Sequence, residues 1–222
     1  MQPGLNPTRS VLVLGGCGYV GSAVLRELAR RGVHATFTYR TSADKARMLA
    51  AELGHTAIEV DLADAAAVRR LEPADVVIHC AAVSTTDWQQ SFAINVESAH
   101  VVATTIAERG APADIVFLGG LDRVQSLPLP PVYAATQGAL SAMIMALAHE
   151  LGPRGIRVNM LSLGVLAGGI SNSLAARRRK DYETFSALRR AGTADEAAKA
   201  IAWLALENTF IQGKVISVNG GI

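Results

Sequence analysis

Seven short apolar runs limit what this chain can become: SVLVL (10–14), HATFTY (34–39), TAIEV (56–60), DVVIHC (75–80), DIVFLG (114–119), IRVNML (156–161) and KVISV (214–218). Each has the length of a strand, and the residues between them carry helical patterns. Helices are predicted over 19–31, 43–54, 65–71, 91–109, 132–151 and 194–206. Gly54, Gly110 and Gly152-Pro153 act as stops. Apolar runs without alternation belong to strands buried on both faces, and strands separated by helices pair in parallel. The expected fold class is α/β: a doubly wound, Rossmann-type parallel sheet of seven strands in a single domain, 1–222. No internal repeat or long linker divides it. Only 164–193 lacks a regular pattern.

The first strand runs into GGCGYVG (15–21), which opens the first helix. Gly15, Gly18 and Gly21 have the spacing G-x-x-G-x-x-G. Glycines let such a turn close and let backbone N–H groups approach a pyrophosphate, and the helix N-terminus adds partial positive charge. In a first strand-turn-helix this pattern is far more specific than a lone triplet. Gly15, Gly16, Cys17, Gly18, Tyr19, Val20 and Gly21 are therefore candidate cofactor-binding residues. The second strand ends in Tyr39-Arg40-Thr41-Ser42, with no acidic residue for a ribose 2′-hydroxyl. Arg40 and Thr41 suit a 2′-phosphate, which favours NADP(H) over NAD(H). Arg40 can also be read as a solvated helix-start residue. Asp61 and Leu62 follow the third strand. Asp61 is either a partner for an adenine amino group or a helix N-cap.

Composition removes several classes of function. Of 222 residues, 50% are hydrophobic and 18% charged, a globular balance. A net charge of +2 gives no footprint for nucleic acid or a membrane surface. Two cysteines, Cys17 and Cys80, do not make a disulfide scaffold. The five histidines are scattered, so no metal site is expected. The N-terminal apolar run of about four residues is shorter than a signal peptide needs, and no stretch reaches transmembrane length. The cytoplasm is the default expectation.

Beyond the turn, several stretches resemble the short-chain dehydrogenase/reductase family over nearly the whole chain. They are HCAA (79–82), INV around Asn95, YAATQGAL (133–140), HELGPRGIRVNMLSLGVL (149–166) and FIQGKVISVNGG (210–221). The glycine turn has the spacing of the family's longer members. The remainder resembles compact members such as 3-oxoacyl-acyl-carrier-protein reductases. The resemblance implies that Ala81, Ala82, Gly164 and Val165 line the cofactor, with Tyr133 serving both cofactor and catalysis. It implies that a tyrosine protonates the substrate carbonyl while hydride arrives, and that a serine holds the oxygen. A lysine holds the ribose and lowers the tyrosine pKa, and an asparagine organises a relay water.

Tyr133 and Asn95 are present. The serine position is Gly120, the lysine position is Gln137, a proline-glycine reads Leu163-Gly164, and a threonine position is Gly168. An unperturbed tyrosine titrates near ~10. A cation about 4 Å away is worth ~4 kcal/mol at an effective dielectric of about 20. That is roughly three pH units of titration. Glutamine can bond a ribose hydroxyl but supplies no charge. Ketoreduction is expected to be slow unless another group substitutes. Arg123 and Ser126 are the nearest alternatives in sequence. Tyr133 also reads as a partly buried helix residue, and Asn95 as a kink-maker bonding backbone.

Residues 164–193 stand where the family has its substrate-binding segment. Arg177, Arg178, Arg179 and Lys180 are either a solvated helix face or a dock for an anionic carrier, with Arg189 and Arg190 adding to the same sign. The expected partner is a carbonyl-containing small molecule or an acyl-carrier-bound substrate. The resemblance also implies a homo- or hetero-oligomer through helices 91–109 and 132–151. Three readings stay open: an NADP(H)-dependent, ketoreductase-like oxidoreductase with altered catalytic residues, a catalytically silent cofactor-binding subunit or regulator, and a non-redox enzyme.

Overall fold

The computed structural model describes residues 9–120 and 130–222, so Arg123 and Ser126 lie outside the described residues. The strands are β1 (Val11–Leu14), β2 (Thr36–Tyr39), β3 (Thr56–Glu59), β4 (Val76–His79), β5 (Ala113–Gly119), β6 (Ile156–Leu163) and β7 (Val215–Val218). They form one sheet in the order β3-β2-β1-β4-β5-β6-β7, and every pairing is parallel. The order reverses between β1 and β4, where a doubly wound sheet opens a crevice at its strand ends.

The helices are α1 (Tyr19–Arg30), α2 (Ala43–Leu53), α3 (Ala65–Arg69), α4 (Trp88–Phe92), α5 (Ser98–Glu108), α6 (Pro131–Leu151), α7 (Ala176–Phe185) and α8 (Ala194–Leu206). Two apolar layers hold them to the sheet. One joins α5 and α6 to Ile115, Phe117 and Met160. The other joins α1, α2 and α8 to Val13, Phe37 and Ile78. Gly54 caps α2 in the left-handed region as expected. At α6 the left-handed residue is Gly155, which ends a short 3₁₀ turn, Gly152–Arg154.

Four expectations need correction. The helix predicted over 91–109 begins at Trp88 and is interrupted by a π-helical turn, Ala93–Glu97. The third run is not buried on both faces: β3 is an edge strand with Thr56, Ile58 and Glu59 exposed. The N-cap of α3 is Asp64, whose carboxylate accepts from the Ala66 and Ala67 N–H groups, not Asp61. The irregular segment contains a ten-residue helix, α7, of which only Tyr182 is buried. A helix without an apolar stripe leaves no periodic signal to read.

Pro131–Arg154 is long and apolar enough to cross a membrane by length and composition. Here α6 buries Tyr133, Leu140, Ile144, Leu147 and Leu151, largely in the sheet-facing core.

Candidate active site

The turn after β1 is fastened to β2. The Gly15 N–H donates to Thr38 Oγ1 at 3.0 Å and the Gly16 N–H to the Thr38 carbonyl at 2.9 Å. Gly15 is left-handed (φ 77°). A Cβ on Gly21 would stand 2.2 Å from the Gly15 carbonyl oxygen, so only glycine lets α1 start this close to the turn. No side chain caps α1, whose first residues, Tyr19 and Val20, line the crevice, and helix-start N–H groups left uncapped are donors for an anion. The crevice, about 560 Å³, runs from Arg40, Thr41 and Asp61 past the turn to Gly120 and Tyr133. These features fit a dinucleotide: a glycine-built cradle, an uncapped helix start and a cation, Arg40, at the far end.

At that end the Arg40 guanidinium stands 4.0 Å from the Asp61 carboxylate. Asp61 Oδ1 also accepts from the Ala63 N–H at 3.0 Å. A second cation was missed in the sequence. The Lys45 ammonium donates to the Cys17 carbonyl at 2.8 Å, which brings it against the glycine turn. Its place five positions after Arg40, in the first turn of α2, was the available signal. Burial pushes the Cys17 thiol pKa up and the nearby Lys45 charge pulls against it. Val20, Leu62, Ala81, Ala82, Gly164 and Val165 line the same crevice.

At the opposite end Tyr133 is buried, and burial pushes its hydroxyl up to about 12. Gly120 and Tyr133 meet closely. A Cβ on Gly120 would lie 2.7 Å from the Tyr133 hydroxyl oxygen. Gln137, one turn further along α6, is fully buried and turned to the end of β5. Its Oε1 accepts from the Gly120 N–H at 2.9 Å, and its Nε2 has no hydrogen-bond partner among the described residues. It is not among the described residues that line the crevice.

Asn95 sits in the π-helical turn and works behind the crevice wall. Its Oδ1 accepts from the Val83 N–H at 2.8 Å, and its Nδ2 donates to the Val83 carbonyl at 2.9 Å and to Thr136 Oγ1 at 3.0 Å. Thr136 in turn donates to the Tyr133 carbonyl at 2.8 Å. The kink-making, backbone-bonding reading of Asn95 matches these bonds.

Two more tyrosine–glycine contacts lie along the crevice. The Tyr182 hydroxyl donates to the Asn219 carbonyl and occupies the space a side chain on Gly164 would need. The Tyr19 ring lies against Gly168, where a Cβ would meet Cε2 and Cζ at 2.7 Å. The expected threonine and serine positions are thus glycines whose space tyrosine rings fill. Among the described residues no three His, Cys, Asp or Glu side chains group as metal ligands.

A doubly wound sheet with this turn and crevice defines a nucleotide-binding α/β protein of the reductase type. Residues 19–222 match the family model described as enoyl-(acyl carrier protein) reductase. The chain belongs to that family, within the short-chain dehydrogenases/reductases. It is 29% identical over 228 residues to the cyclic-di-GMP-binding biofilm dispersal mediator protein of Escherichia coli (strain K12), covering 96% of each chain. It is 25% identical over 236 residues to the 3-oxoacyl-[acyl-carrier-protein] reductase MabA of Mycobacterium tuberculosis (strain ATCC 25618 / H37Rv), covering 97% of this chain and 93% of that one. A solved short chain dehydrogenase from Burkholderia cenocepacia J2315 in complex with NADP superposes with a TM-score of 0.86 at 27% identity, covering 98% of each chain.

Proposed function

We propose that this chain is an NADP(H)-dependent oxidoreductase that slowly reduces the carbonyl of a small molecule or an acyl-carrier thioester, with Tyr133 as proton donor. The observation that carries this reading is the Tyr133 hydroxyl, set beside Gly120 in the crevice that the glycine turn opens. The turn 15–21 would hold the pyrophosphate, Arg40, Thr41 and Lys45 the 2′-phosphate, and Asp61 and Leu62 the adenine. Ala81, Ala82, Gly164 and Val165 would line the remainder. The bound cofactor supplies hydride. Tyr133 donates its O–H to the carbonyl oxygen and releases the proton there as the alkoxide forms. Gly120 in the serine position supplies no hydroxyl to that oxygen. Gln137, bonded to Gly120, supplies no positive charge to ease the loss of the proton.

Four cations on α7, Arg177, Arg178, Arg179 and Lys180, form no ion pair among the described residues. Leu174, just before α7, lines the crevice. This supports an anionic carrier bringing its thioester past that helix. The outward face of α6 exposes Gly138, Ala142, Met145 and Ala146, a small-residue apolar surface suited to a second subunit.

A second reading, a cofactor-binding subunit or regulator without turnover, is favoured by the inward turn of Gln137. The E. coli relative is likewise named for binding a nucleotide. Titrating NADPH by its fluorescence and then adding a β-ketoacyl thioester separates the two. Turnover abolished in Tyr133→Phe establishes the oxidoreductase. Tight NADPH binding with no turnover establishes the silent subunit. A chain that binds neither NADPH nor NADH is neither.

A further inference from the structure

We propose that Tyr19 is a clasp across the cofactor groove, whose ring must lift off Gly168 and Gly169 before a dinucleotide enters or leaves. The inference rests on the NADP(H) reading and goes beyond it in assigning a side chain to cofactor exchange.

Tyr19 is the first residue of α1 and so belongs to the glycine turn. Its ring reaches across the crevice to the segment that follows β6. A Cβ on Gly168 would lie 2.7 Å from Cε2 and Cζ, and one on Gly169 3.0 Å from the Tyr19 Cβ. The ring therefore lies directly on glycine backbone, closer than any side chain at 168 would allow. All three residues line the crevice, so the contact bridges its two walls.

The segment is anchored on both sides of this contact, with the Leu166 N–H donating to Ser171 Oγ at 3.0 Å, so it is the ring that moves. Leu166 bridges Gly192, the Gly192 N–H donates to the Val165 carbonyl at 3.0 Å, and the Ala167 N–H donates to the Gly192 carbonyl at 2.8 Å. Two glycines follow, Gly169 in the left-handed region (φ 67°), and then a 3₁₀ turn, Gly169–Ser173. Exposure separates this tyrosine from the other two that fill glycine space. Tyr133 and Tyr182 are 5% and 3% exposed and are packed in place, whereas Tyr19 is 38% exposed and can rotate into solvent.

The test is stopped-flow fluorescence of NADPH with wild type, Tyr19→Ala, Tyr19→Phe and Gly168→Ala. The clasp predicts NADPH dissociation about tenfold faster in Tyr19→Ala. Gly168→Ala, which pushes the ring off from the other side, should move the rate in the same direction. Tyr19→Phe keeps the ring and stays within about twofold of wild type. Hydrogen exchange of peptides spanning 164–173 in the free protein should speed up in both alanine variants while the melting transition holds. NADPH binding by wild type with unchanged rates and exchange in both alanine variants overturns the clasp and leaves the NADP(H) reading intact. Binding only after Tyr19→Ala supports it as a lock. No binding by any of the four overturns the NADP(H) reading and the clasp with it.

Discussion

Gly120 and Gln137 act as a pair, the N–H of one donating to the side chain of the other at 2.9 Å. That bond keeps the glutamine out of the crevice and leaves burial alone to set Tyr133 at about 12. The consequence is directional. Under the proposed function, carbonyl reduction needs the Tyr133 phenol O–H, which is fully populated at neutral pH. Alcohol oxidation needs the phenolate, and a group titrating near 12 is ionised only about once in 10⁵ at pH 7. Initial rates measured both ways should diverge. Reduction should be flat between about pH 6 and 9, and oxidation of the product alcohol with NADP⁺ should rise about tenfold per pH unit over the same range. Oxidation that levels off below about pH 9 would mean that another group is the base. Nor is Gly120 a bare loss. A serine there would put its Cβ 2.7 Å from the Tyr133 hydroxyl, so the ring would have to shift to admit it.

The π-helical turn between α4 and α5 is where local sequence and tertiary demand meet. It carries Asn95, which satisfies both backbone groups of Val83 and reaches α6 through Thr136. Val83 and Ser84 line the crevice, so one amide holds part of the wall and the Tyr133 turn together. Leaving buried backbone groups unpaired costs about 1–3 kcal/mol each. Asn95→Ala should therefore lose roughly 3 kcal/mol in a urea titration, with an unchanged m-value, and should weaken NADPH binding. Asn95→Asp keeps the acceptor for Val83 N–H but loses both donations, and should fall between. An alanine variant as stable as wild type would mean that water replaces the amide. Little of this was legible in advance. The apolar runs and the glycine turn are local signals, and they gave the strand count, the parallel sheet and the cofactor end. The partner of Asn95 lies twelve residues away on a loop, and the tyrosines over Gly164 and Gly168 come from distant elements, so no pattern in the chain announces them. Tyr133 and Gly120 could be named from spacing, but the inward turn of Gln137 follows from packing at the end of β5.

Across the whole molecule, the sheet divides two apolar layers, and His79 at the end of β4 is buried beside Phe117 of the α5–α6 layer. Ser98 donates to the Ile94 carbonyl at 2.7 Å, so its oxygen accepts from His79 Nε2 at 2.8 Å, which assigns the neutral tautomer. Burial pushes His79 down to about 4. An unfolded histidine titrates near ~6.5, so between these values the unfolded chain binds the extra proton. A depressed histidine pKa gives stability that is complete above about pH 6.5 and is lost as pH falls through about 4. The difference corresponds to about 3 kcal/mol, a large part of the roughly 5–15 kcal/mol of a typical domain. His55, also depressed chiefly by burial, acts in the same direction. Urea midpoints measured from about pH 7 down to 4 should therefore fall steadily, with His79→Leu showing a shallower decline. The His55 contribution keeps that decline from vanishing. An identical pH slope in His79→Leu would assign the acid sensitivity to His55 and to partly exposed ion pairs such as Arg31–Glu27, and the latter, unlike a buried imidazole, weaken with added salt.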